Sequence, residues 1–120
     1  MRLVSVLILV GLVISGPVLG KDRKGVYSFH NQSTCGEYLD AYSRTTFTTT
    51  GFSGPYEMWG ARGWFSGFIS AYNILIENGK TDILGSMTTG GALKWIGSWC
   101  RDNPTKDFDD GIFALIQKLK

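Results

Sequence analysis

Cys35 and Cys100 are the only cysteines among 120 residues. Each falls on an apolar helical stripe. In an oxidising compartment they have one possible pairing, and it closes a loop of about 65 residues. Loop-closure entropy assigns such a tie about 4 kcal/mol. Small domains have a total stability of roughly 5–15 kcal/mol, so one covalent bond carries a large share. Redox-active pairs usually lie close in sequence, as in Cys-x-x-Cys, and these two do not. The pair therefore reads as structural. Two Cys and one His also leave no Cys/His zinc cluster within this chain.

The compartment follows from the first twenty residues. Met1-Arg2 is a short positive start, and Leu3 to Ile14 is apolar apart from Ser5 and Gly11. Gly16-Pro17 breaks the run, and Val18 and Gly20 suit cleavage before Lys21. This is the layout of a secretory signal peptide over residues 1–20, and it is too short for a spanning helix of ~20 apolar residues. The expected product is periplasmic or secreted, with no stable membrane insertion after cleavage. Residues 21–33 are polar and basic and read as a flexible N-terminal arm. The remainder, residues 34–120, reads as one helical domain.

Four helices account for the apolar pattern, so the fold class is all-α. Thr34 and Glu37 form a capping box. Cys35, Tyr38, Leu39 and Tyr42 then follow at i, i+3, i+4 and i+7. Residues 45–54 are β-branched and Gly-rich and read as a loop or short extended segment. Pro55 opens a second helix and Asn78-Gly79 closes it. On that helix Gly60, Gly63, Gly67 and Ala71 form a small-residue strip, opposite Trp64, Phe65, Phe68, Tyr72 and Leu75. The glycines cost helix stability, so the expectation is that another backbone approaches closely there and that this helix is central. Residues 80–89 connect, with Ile83, Leu84 and Met87 tucked in. Thr88 or Thr89 caps a third helix that runs to about Asp102. Ala92, Leu93, Trp95, Ile96, Trp99 and Cys100 lie on one side of it, and Lys94, Ser98, Arg101 and Asp102 on the other. A fourth helix starts near Asp107, with Phe108, Ile112, Leu115, Ile116 and Leu119 facing inward and Phe113 off that stripe. The tie thus joins the start of the first helix to the end of the third.

Chemistry is harder to find. The formal charge is +2, which makes no electrostatic case for nucleic acid. His30, the one histidine, sits in the arm and reads as a solvated side chain. Asp107, Asp109 and Asp110 miss the spacing of a calcium loop and read as carboxylates answering the dipole of the fourth helix. Glu37 and Asp40 read as a solvated helix face. The Gly60, Gly63 and Gly67 spacing is no phosphate loop. The sequence points to no catalytic residues, no metal and no cofactor.

Aromatics are in surplus: seven Phe, five Tyr and four Trp. Phe47, Phe52, Tyr56, Trp59 and Phe113 lie off the stripes or in loops. They can fold over the helices and complete the core. They can form a patch for another protein, where Trp and Tyr serve as anchors. They can also stack on sugars.

Two stretches carry a family resemblance. Thr34-Cys35-Gly36-Glu37-Tyr38-Leu39 opens a helix, and Cys100, Asn103-Pro104, Phe108 and Ile112 close the domain. On these residues the chain resembles the HdeA/HdeB group of small periplasmic proteins over about residues 34–119. More loosely, it is similar to the Tai-type immunity proteins of type VI secretion. The first resemblance implies an all-α fold with one disulfide and an acid-stress chaperone that loosens at low pH to hold unfolded clients. Charge counting permits this. Protonating ten carboxylates and one His takes residues 21–120 from +1 to about +12. The second resemblance implies an immunity or inhibitor protein that binds one secreted toxin or enzyme. In both cases the partner is another protein and the chain is no enzyme.

Overall fold

The computed structural model describes residues 33–120. The expected signal peptide, His30 and all of the arm except Ser33 lie outside the described residues. Four helices follow in order: α1 (Cys35–Ser43), α2 (Tyr56–Leu75), α3 (Thr89–Asp102) and α4 (Phe108–Leu119). Two short strands, β1 (Thr46–Phe47) and β2 (Phe52–Ser53), pair antiparallel between α1 and α2. The domain is all-α with one disulfide, as the sequence predicts.

Three of the four helices start on side-chain caps, and α2 follows Pro55 without one. The Thr34 hydroxyl accepts from the Glu37 amide at 3.1 Å, and the Glu37 carboxylate accepts from the Thr34 amide at 2.9 Å. Thr88 caps α3 by accepting from the Gly91 amide at 3.0 Å. At α4 the Asp110 carboxylate accepts from the Asp107 amide at 3.1 Å. Beyond the end of α2, Asn78 and Gly79 both take positive φ, the left-handed conformation that ends helices.

The core gathers Cys35, Tyr38 and Ala41 of α1, Met58, Phe65 and Ile69 of α2, and the inner stripes of α3 and α4. Cys35 and Cys100 are bonded, with Cα atoms 5.1 Å apart, both fully buried. The starts of α1 and α4 are also joined through their backbones. The Cys35 amide donates to the Lys106 carbonyl and the Phe108 amide to the Ser33 carbonyl, each at 2.9 Å. Two amides that helix starts leave without intrahelical partners are satisfied this way.

Three expectations are corrected. The central helix is α3, which packs against α1 and α4 and also touches α2. α2 contributes only one buried row, Met58, Phe65 and Ile69. Leu75, expected on the inner stripe, is 74% exposed. At 100° per residue it lies about 80° from the Phe65 direction. The α2 glycines also admit no close neighbour. Among the described residues, a Cβ built at Gly60, Gly63 or Gly67 meets nothing within 4 Å. Close approach occurs instead at Gly97, where a Cβ would lie 2.8 Å from the Tyr42 ring, and at Gly111, where it would lie 2.9 Å from Ile96. Both of these pairs sit at helix contacts with α3; a third close approach lies outside the helices, where a Cβ at Gly54 would lie 2.5 Å from the Thr45 hydroxyl.

Candidate functional site

Local sequence already pairs the aromatics of α1 and the hairpin. Tyr38 and Tyr42 are four residues apart on one helix face, and their ring centroids are 6.0 Å apart. The hairpin register sets Phe47 directly opposite Phe52, with centroids 5.8 Å apart. Cross-strand aromatic pairs of this kind stabilise short strands that lack further support. The tertiary structure then links the pairs. Tyr42 meets Phe47 at 5.2 Å, and Phe52 meets Trp59, in the first turn and a half of α2, at 4.5 Å. At the other end Tyr38 meets Phe108 of α4 at 4.5 Å. The result is an unbroken ladder: Phe108, Tyr38, Tyr42, Phe47, Phe52, Trp59.

The ladder begins in the core and ends in solvent. Phe108 and Tyr38 are buried, while Tyr42, Phe47 and Phe52 are half-buried. Trp59 is 50% exposed, and Tyr56 beside it on α2 is 81% exposed. Burial pushes the Tyr38 phenol well above its usual range, with a smaller contribution from Tyr42. That phenol therefore stays protonated and donates to the Leu93 carbonyl at 2.7 Å. It anchors the inner end of the ladder to α3.

Three cations cover the ladder. Arg101 stands 5.2 Å from the Tyr42 ring, Lys94 5.2 Å from Phe47, and Arg62 5.8 Å from Trp59. Such contacts are worth about 0.5–1 kcal/mol at exposed sites. Lys94 and Arg101 come from the polar side of α3, two turns apart.

Of the five candidate aromatics, the structure brings Phe47, Phe52 and Trp59 into ring contact and leaves Tyr56 projecting next to them on α2. Phe113 stands elsewhere. It is 39% exposed and meets Phe68 edge-on at 5.3 Å. Phe68 lies nine residues beyond Trp59, and at 100° per residue it faces the opposite side of α2. Phe47 and Phe52 pack against the core, while Tyr56 and Trp59 are exposed.

Sequence reasoning missed Arg62, Lys94 and Arg101 as members of this surface. The i, i+7 spacing of Lys94 and Arg101 was visible, but nothing in the sequence ties that helix face to the hairpin. It also missed Asp109. The expected dipole-facing cluster is not wholly at the surface. Asp109 is 3% exposed, and its Oδ1 accepts from the Trp64 indole at 2.6 Å. Its Oδ2 is buried without a hydrogen-bond partner among the described residues. Burial raises its pKa, the Trp64 hydrogen bond opposes that, and the neighbouring Asp107 and Asp110 add to it. Asn73 near the end of α2 ties down the connection that follows it. Its amide group donates to Asp82 and accepts from the Ile83 amide, each at 2.9 Å.

Among the described residues, no three His, Cys, Asp or Glu side chains gather in a way that could hold a metal ion. Among the described residues, no helix is long and apolar enough to cross a membrane. Comparison with protein-family models, with curated proteins and with solved structures gives no match.

Proposed function

We propose that this is an exported, non-enzymatic domain that binds one specific protein in its folded state, in the manner of an immunity or inhibitor protein acting on a secreted toxin or enzyme. The observation that carries this reading is the aromatic ladder, whose inner rings are fixed in the core and whose outer end offers Trp59 and Tyr56 to solvent. Anchors held by a packed base bind with little loss of side-chain entropy. Protein immobilised at pH 7 should retain a single stoichiometric partner from the exported fraction of its host. A double variant, Tyr56→Ala with Trp59→Ala, should lose that partner and keep its thermal transition. Retention by the variant, or no stoichiometric partner for the wild type, overturns the reading.

The acid-chaperone reading stands second, supported by the charge that builds up at low pH. Asp109 works against it. Its raised pKa makes the fold gain stability from this group as pH falls. A denatured client that aggregates equally at pH 2–3 with and without the protein removes this second reading.

A further inference from the structure

The outer ladder combines apolar rings with positive charge, and this combination selects a partner chemistry. Arg62, Lys94 and Arg101 are each seated over a ring of the ladder. Among the described residues none of them is within 4 Å of a carboxylate, whereas Arg44 pairs with Asp40 at 2.9 Å. Glu57 and Asp102, on the same helices, form no ion pair with them among the described residues. A guanidinium held over a ring keeps its five N–H groups available to an acceptor. Seating the cation in advance also lowers the ordering cost of binding. Three separated cations are too few for a polyanion, which needs clustered phosphate contacts. They match scattered carboxylates on a protein.

We propose that the ladder docks an acidic segment of another protein, whose carboxylates meet Arg62, Lys94 and Arg101 while an apolar side chain covers Trp59. This rests on the protein-binding reading above and adds the partner's charge and the cations that read it.

The test is an amide NMR titration of the protein, expressed from the full chain, at low and at physiological salt. The probes are a twelve-residue peptide with four Glu among Leu and Trp, its twin with Gln at the four Glu positions, and a twelve-nucleotide single-stranded DNA. The Glu peptide should move signals in residues 46–53 and around Trp59, Lys94 and Arg101, more weakly at higher salt. The triple variant Arg62→Gln, Lys94→Gln, Arg101→Gln should bind it at least tenfold more weakly with an otherwise unchanged spectrum. Equal binding of the two peptides at the ladder overturns the acidic preference and leaves the protein-binding reading standing. An unaffected triple variant, or tighter binding of the DNA, overturns the assignment of these cations to a protein partner. If neither peptide moves a ladder signal at millimolar concentration, the acidic-segment assignment falls, whereas the protein-binding reading falls only if the Tyr56→Ala, Trp59→Ala variant keeps its partner.

Discussion

The Trp64 indole and the Asp109 carboxylate meet at 2.6 Å across the α2–α4 contact, and this hydrogen bond ties those two helices through polar groups. It leaves half of a buried carboxylate unsatisfied, so the protonation state of Asp109 bears on stability. The folded-state pKa is raised. Stability from this group is therefore fully present below the unfolded carboxylate pKa and is lost as pH rises through the folded value. Wild type should gain stability relative to Asp109→Asn as pH falls from 7 to 4, by about 1.4 kcal/mol for each unit of displacement. Denaturant unfolding of both proteins across that range checks it, and a pH-independent difference would contradict it.

Trp64→Phe removes the donor and leaves the carboxylate unpaired. The expected cost at pH 7 is about 1–3 kcal/mol. The cost should shrink below pH 4, where a protonated Asp109 is cheaper to bury. Chemical denaturation at the two pH values measures the change.

Glycines of α2 and of the α3 contacts should respond in opposite directions. Gly63→Ala and Gly67→Ala meet open space among the described residues and should stabilise the helix by about 0.5–1 kcal/mol each. Gly97→Ala and Gly111→Ala put a methyl against Tyr42 and Ile96. Overpacking costs typically 1–3 kcal/mol, so these two should destabilise despite the propensity gain. Melting temperatures of the four variants decide the matter.

Reducing the Cys35–Cys100 bond releases the start of α1 from the end of α3. The loop-entropy model gives a loss of about 4 kcal/mol. Unfolding with and without a thiol reductant measures it. Mass spectrometry of the untreated protein should find no free thiol.

Asn73→Ala removes both hydrogen bonds that hold Asp82 and Ile83 to α2. The expected loss is about 1–2 kcal/mol in all. Amide hydrogen exchange should rise in residues 80–87 while α4 stays protected. Uniform loss of protection would mean the connection has no separate stability.

Local chemistry was enough to fix the helices of this protein. The Thr34–Glu37 box, Thr88 and the Asn78-Gly79 stop act within a few residues, so their meaning survives in the linear chain. The same holds for the apolar stripes that place both cysteines inward, and for the pairing itself, which two cysteines leave without an alternative. Three matters were settled only in three dimensions. The central position went to α3 because the packed faces of α1 and α4 both turn to it, a fact of helix arrangement that no single stripe encodes. Asp109 went inside because Trp64, forty-five residues away, supplies its hydrogen bond. The ladder and its cations formed because the hairpin folds between α1, α2 and α3, which brings Phe47 under Lys94 and Phe52 against Trp59. Residues distant along the chain acquire a shared surface through packing, and packing is a property of the whole domain.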